Sequence, residues 1–180
     1  MQKRIAILRG INVGGHKKIL MADLKALLEK HGFQDPKTYI QSGNVVFFAD
    51  EALSNEEVAD KIASAIAEVY GFEVSTLVRS VEELKTAVDT NPFYTEEADI
   101  KKLHLTFLKE IPSEEHKTDL ASFNFEPDLF VLKDQNIFVY CEGKYHQTKL
   151  SNGFFEKKLK VSATTRNWRT VLKLLDLASE

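Results

Sequence analysis

Thiol chemistry is nearly absent from this chain: Cys141 is the only cysteine in 180 residues. A single cysteine permits no intramolecular disulfide and no multi-thiolate metal site. The five histidines, at positions 16, 31, 104, 116 and 146, fall at no paired metal-ligand spacing, HExxH included. No metal site is expected, and no cofactor is implied. The sequence also lacks any run of about 18 apolar residues, which argues against a membrane-spanning helix. Its N-terminal apolar core, Ile5 to Leu8, is too short for a signal-peptide h-region. With no membrane partner expected, a reduced cytoplasmic setting is the default. Glycine (8) and proline (4) are too few for a collagen-like or low-complexity chain.

What is present is the composition of a globular protein, 43% hydrophobic and 28% charged. A chain this long buries roughly 70% of its unfolded surface, so it needs no covalent staple. The net charge of −3 conceals an uneven distribution. Residues 1–49 carry eight Lys/Arg against three Asp/Glu, residues 50–128 carry seven against nineteen, and residues 143–173 carry eight against one. Two basic ends flank an acidic middle, whose carboxylates read as solvated helix faces.

Local patterns give the order of elements. Arg4 to Leu8 reads as a buried strand, followed by a loop from Arg9 to Lys18. Leu24, Leu27 and Leu28 mark one face of a helix that stops at Gly32. Thr38–Gln41 and Asn44–Phe48 read as a hairpin turning at Ser42-Gly43. Ser54 and Glu57 form a capping box for a helix ending at Gly71, and a strand follows over Phe72–Val78. The order βαββαβ is that of a ferredoxin-like plait.

The second half repeats this order less clearly. Ser80 and Glu83 cap a short helix, Leu103–Leu108 is a strand, and Ser113 caps another helix. Leu129–Leu132 and Ile137–Cys141 form a hairpin around Asp134-Gln135, followed by a helix over Phe154–Leu159, a short strand over Val161–Thr164 and a helix over Asn167–Ala178. The expected fold is therefore α+β, two tandem ferredoxin-like subdomains over residues 1–90 and 91–180. A plait orders its strands 4-1-3-2, so strands one and three are central. IAIL and VVFF, apolar on both faces, suit those places. Leu129–Leu132, wholly apolar at an edge, calls for cover by the other half or by a second subunit, a route to self-association.

That topology brings the loop Arg9–Lys18 beside the turn Gln41–Asn44. Arg9, Gly10, Asn12, Gly14, Gly15, Lys18, Gln41, Ser42 and Asn44 then converge on one patch. Glycines admit positive φ and close ligand approach, and amides with cations suit phosphate or carboxylate. The glycines also have a plain reading as turn residues. The ten-residue loop exceeds the two to six residues usual for a strand-to-helix connection. It is not a Walker A loop, since His16 stands where lysine is required, and it lacks the GxGxxG dinucleotide pattern.

A second dense stretch holds Ser151, Asn152, Arg166 and Asn167. With Thr164 or Thr165 as cap, Arg166 and Asn167 fall in the first turn of the last helix, where a cation opposes the helix dipole and a bound anion would offset it. A salt bridge to the acidic middle is the equal alternative. Trp168 and Cys141 read as core. His104, alternating with leucines, is expected on the less buried side of its strand, and His16, inside the glycine loop, is the histidine to watch.

Taken together, RGINVGG followed by Lys18, Met21 and Leu24, then TYIQSGNVVF, Asn91-Pro92-Phe93, KLSN, FEKKL and ATTRNWRTV, resemble domain-of-unknown-function family 1697 from Ile7 to about Leu174. The resemblance implies a duplicated ferredoxin-like architecture in a bacterial cytoplasmic protein, and brings no activity. It places the family's characteristic residues at Arg9, Gly10, Asn12, Gly14, Gly15, Gln41, Ser42, Gly43, Asn44, Ser151, Asn152, Arg166, Asn167 and Trp168. Three readings stand: binding of an anionic ligand, either a nucleotide, a phosphorylated small molecule or nucleic acid; a small enzyme working at the same patch; or structural polar motifs in an interaction protein. The RNA-binding RNP1 pattern is absent, which favours a small phosphorylated ligand over sequence-specific RNA.

Overall fold

Ile5, Ala6, Ile7 and Leu8 are each fully buried, as a strand apolar on both faces requires. They form the heart of β1 (Gln2–Leu8) in a computed structural model that describes residues 1–180. The chain is α+β, with two four-stranded antiparallel sheets and six α-helices. It divides into two compact units: Met1–Lys85 with Lys173–Glu180, and Thr86–Leu172. The last eight residues thus group with the first unit, whereas the sequence reading placed a single boundary at residue 90.

The first unit runs β1, α1 (Met21–Lys30), β2 (Gln34–Tyr39), β3 (Asn44–Ala49), α2 (Asn55–Tyr70), β4 (Thr76–Ser80), with the start of α3 (Val81–Asp89) following. Its strand order is β2-β3-β1-β4, the 4-1-3-2 order expected. Leu24, Leu27 and Leu28 of α1 and Val58, Ile62, Ala65 and Ile66 of α2 pack with Ala6, Leu8, Val45 and Phe47 in one core. Ser54 and Glu57 form the capping box of α2, and Gly71 ends that helix in the left-handed conformation. The second strand begins four residues earlier than the threonine-centred pattern suggested. The turn after it spans residues 40–43, wider than Ser42-Gly43 alone.

The second unit runs β5 (Leu103–Leu108), α4 (Glu114–Ala121), β6 (Leu129–Lys133), β7 (Asn136–Tyr140), α5 (Asn152–Leu159), β8 (Ala163–Asn167), then the start of α6 (Trp168–Ser179), whose residues from Lys173 on group with the first unit. Its strand order, β6-β7-β5-β8, is the same permutation. Strand β8 starts later and reaches further than Val161–Thr164, because Arg166 and Asn167 continue the ladder opposite Leu105 and His104. The edge strand β6 leaves Leu129 and Val131 41% and 40% exposed, so within this chain the apolar edge is not fully covered.

Backbone hydrogen bonds match between the units. Leu8 N–H donates to the Gly43 carbonyl as Leu108 N–H does to that of Gln135, at 2.7 and 2.9 Å. Arg9 N–H donates to Ser75 O as Lys109 N–H does to Ser162 O, both at 2.9 Å. Asn44 opens β3 opposite Ile7, and Asn136 opens β7 opposite Phe107. Against this frame one difference stands out. The link from β1 to α1 takes residues 9–20, while the equivalent link from β5 to α4 takes only residues 109–113.

Candidate functional site

The long link of the first unit is tied down by one side chain. Asn12, at φ 56°, donates from Nδ2 to the carbonyls of Ile19 and Gln41, both at 2.9 Å, and accepts from Ile19 N–H at 2.9 Å. Asparagine tolerates the left-handed region better than other residues with a Cβ, and its amide mimics a backbone unit. This bonding fixes the loop's beginning to its end and both to the hairpin turn. The convergence of Arg9–Lys18 with Gln41–Asn44 expected from topology is thus made by hydrogen bonds.

The turn is locked from below. Gly43 lies at φ 82°, and a Cβ there would stand 2.7 Å from Leu8 Cβ and 2.9 Å from Ile11 Cδ1. Only glycine meets both demands. Asn44, fully buried, donates from Nδ2 to Tyr39 O (3.1 Å) and Ser42 Oγ (2.9 Å). Asn12, Ser42, Gly43 and Asn44 therefore build the platform, with their polar atoms engaged in doing so. Ile40 sits in the left-handed region at φ 51° and is half exposed, an unusual conformation for a β-branched side chain.

Above the platform the loop tip is open. Val13, Gly14, Gly15, His16, Lys17 and Lys18 are all exposed, as are Gly10 and Gln41. His16 N–H closes onto Val13 O at 3.0 Å, and Asn12 N–H onto Lys17 O at 3.2 Å. Gly14 and Gly15 form the turn between, both at positive φ, with their N–H groups unbonded within the chain. Lys17 donates to the Glu73 carbonyl at 2.6 Å and anchors the loop to the segment before β4. Arg9 is half-buried at the loop's start.

The second cluster belongs to the other unit and is largely spent on architecture. Ser151 caps α5, accepting from Phe154 N–H at 3.3 Å. Asn152 Oδ1 accepts from Thr165 Oγ1 at 2.6 Å, and Thr165 in turn meets Thr106 Oγ1 at 2.6 Å. The cap of α6 is Asn167, whose Oδ1 accepts from Thr170 N–H at 2.9 Å, and neither Thr164 nor Thr165. Arg166 and Asn167 accordingly lie on β8, and Arg169 is the arginine in the first turn. Arg166 donates to Thr165 O at 3.0 Å; burial draws its guanidinium down to about 10, still protonated at neutral pH.

Sequence reasoning missed two buried arginines and one histidine. Arg4, 5% exposed, donates to Asn55 Oδ1, Gln2 Oε1 and Leu53 O. Arg79 is equally buried, opposite Ile5 on β4, and donates to Val78 O at 3.0 Å as Arg166 does to Thr165 O. Arg4 lies on the strand read as central and Arg79 on β4, and nothing in either segment's sequence marks its cation as inward. His104, expected on the less buried side of its strand, is only 7% exposed, with Tyr145 stacked on its ring at 4.4 Å. Trp168 and Cys141 are core, and burial raises the Cys141 thiol to about 11, unsuited to nucleophilic work at neutral pH. No group of three or more His, Cys, Asp or Glu side chains is placed to hold a metal ion. No helix is long and apolar enough to cross a membrane.

Comparison with known proteins agrees with this picture at the level of fold. Residues 1–138 match the model of a family described as protein of unknown function, DUF1697. A conserved bacterial protein from Streptococcus pneumoniae has a similar structure, with a TM-score of 0.79 at 23% identity over 98% of both chains. No curated protein matches the sequence.

Proposed function

This chain belongs to DUF1697, a family of proteins of unknown function, and from that premise we propose a role read from its own site: binding of an anionic ligand, a nucleotide or phosphorylated small molecule, at the glycine loop between β1 and α1. We read each unit as a ferredoxin-like plait and the chain as a bacterial cytoplasmic protein built from two in tandem. The observation that carries the binding role is the contrast between equivalent links, residues 9–20 against residues 109–113. The same strand-to-helix step needs only the shorter one, so the extra residues do something other than connect. They bring two unbonded glycine N–H groups, His16 and Lys18 to an exposed tip on a platform fixed by Asn12. Backbone N–H groups left open in a turn offer donors to an anion, and the flanking cation adds charge.

The test is a thermal-shift screen of nucleotides and sugar phosphates against the full chain and its Lys18→Glu variant. A ligand at 100 times its Kd stabilises by about 2.7 kcal/mol, a shift readily seen. At least one compound should raise the wild-type Tm and leave the variant unmoved. A screen in which every shift survives Lys18→Glu removes the loop from the binding role.

A second reading concerns partners. Leu129 and Val131 stay about two-fifths exposed on the edge strand β6, whose outer main-chain groups have no strand beside them. We propose that a second copy of the chain pairs there, β6 to β6, since such an edge is a template for another strand. Sedimentation velocity should show a concentration-dependent dimer that Val131→Lys abolishes. A wild-type protein that stays monomeric at its solubility limit ends this reading.

A further inference from the structure

Two positions in the first unit carry aliphatic side chains where the scaffold itself calls for polar ones. Leu20 is the N-cap of α1, is 71% exposed, and accepts no side-chain hydrogen bond from the helix. The equivalent residue of the second unit, Ser113, caps α4 by accepting from His116 N–H at 3.3 Å. Leucine is among the poorest N-caps and serine among the best. Ile40, the first residue after edge strand β2, lies at φ 51°. The first residue after edge strand β6 is Asp134, at φ 53°. Aspartate tolerates that left-handed conformation, whereas a β-branched side chain is strained in it. Ile40 stays half exposed, outside the buried core, so its aliphatic side chain is not there to pack.

A third aliphatic, Val13, is 62% exposed in the long β1–α1 link that the second unit replaces with five residues. The three meet at the Asn12 clasp. Val13 follows Asn12 in the chain, Leu20 follows Ile19, and Ile40 precedes Gln41. The Asn12 side chain bonds the carbonyls of both Ile19 and Gln41 at 2.9 Å. The backbones carrying these side chains are therefore held within one residue of a single amide group. Exposed aliphatic residues scattered singly mean little, but gathered against local preference they mark an interaction surface. The same loop holds the open N–H groups of Gly14 and Gly15 with His16 and Lys18, and residues 9–20 contain no acidic side chain. Neither residues 9–20 nor residues 40–44 contain a Phe, Tyr or Trp on which a nucleobase would stack.

Resting on the anion-binding reading of this loop, we infer that its ligand is a phosphate ester of an aliphatic chain, the phosphate held by the loop amides and Lys18 and the chain lying on Val13, Leu20 and Ile40. Each methylene moved from water onto such a surface strengthens binding by up to about fourfold.

The experiment is a titration of the isotopically labelled full chain with methyl phosphate and with hexyl phosphate at pH 7 and constant ionic strength, followed by amide NMR. Hexyl phosphate should bind at least about tenfold more tightly, with saturable shifts at Val13, Leu20 and Ile40. Leu20→Ser supplies the missing cap and Ile40→Asn relieves the left-handed strain, so the double variant should melt no lower than the wild type. It should keep the methyl phosphate Kd and reduce the chain-length gain to within about threefold. Val69→Ser, at an exposed position of α2, should keep the gain. AMP should bind no better than methyl phosphate. Vesicles of phosphatidylcholine with phosphatidic acid separate the two sources of such an ester. Pelleting that the double variant loses assigns it to a bilayer, and a protein left in the supernatant takes it from solution. If methyl phosphate fails to bind, the loop reading falls and this inference with it. If methyl phosphate binds but the hexyl gain is smaller than tenfold, survives in the double variant or is exceeded by AMP, the inference falls and the loop reading stands. A double variant that melts lower than the wild type also overturns it, because the aliphatic residues then serve the fold.

Discussion

Replacing Gly43 by alanine isolates a packing demand from a conformational one. At φ 82° any Cβ is strained, and a Cβ here would also stand 2.7 Å from Leu8 Cβ and 2.9 Å from Ile11 Cδ1. Leu8 and Ile11 are fully buried, so neither yields by swinging into solvent. Left-handed strain accounts for about 1–2 kcal/mol and overpacking for about 1–3 kcal/mol, giving about 2–5 kcal/mol in all. Gly10 is the internal control: it has φ 72°, lies in the same unit, and nothing comes within 4 Å of its would-be Cβ. Gly10→Ala carries the strain alone, and the gain from a stiffer unfolded chain is common to both variants. Urea unfolding followed by circular dichroism should place Gly43→Ala about 1–3 kcal/mol below Gly10→Ala, with m-values unchanged. If the two variants agree within about 0.5 kcal/mol, the turn does not rest on close approach to β1 and the platform argument is wrong.

Other outcomes follow from single groups. Asn12→Ala removes three hydrogen bonds that close residues 9–20, so limited proteolysis should cut that loop faster in the variant, while the far-UV spectrum stays unchanged. Burial lowers the His104 pKa below its usual 6.5, more than the nearby Lys102 carbonyl raises it. The unfolded state then takes up the proton first, so stability should fall as pH drops below about 6.5, and His104→Phe, which keeps a ring on Tyr145, should flatten that slope in pH-dependent urea melts. Cys141, at about 11, should react with Ellman's reagent at pH 8 only after urea is added, and a fast native reaction would contradict its place in the core.

The parts of the fold that rest on apolar pattern were readable from the residues. IAIL and VVFF became central strands, and the Ser54–Glu57 box and Gly71 bound α2 where their chemistry requires. The boundaries that failed are those where hydrogen bonding overrides pattern. Asn167 outcompetes Thr164 and Thr165 as a cap because β8 holds the threonines in the ladder, where Thr165 bonds Thr106 and Asn152. The candidate site was legible as a place but not as a division of labour. A glycine or asparagine in a list of motif residues does not say whether it faces a ligand or a neighbouring strand. Gly43 and Asn44 face inward, Gly14 and Gly15 outward, and only tertiary contact tells them apart. The start of the last helix shows the same limit: the pattern puts Arg166 in its first turn, but β8 keeps Arg166 and Arg169 takes that place.

The match between Leu8–Gly43 and Leu108–Gln135, and between Arg9–Ser75 and Lys109–Ser162, means the second unit is a worked example of the first with its loop pared away. The link of the first unit is more than a connector, however: it also supplies Ile11 and Ile19 to the core, so only its exposed tip, residues 13–18, can be shortened without unpacking the sheet. That tip can lengthen, shorten or change its residues while the strands beneath it keep their places.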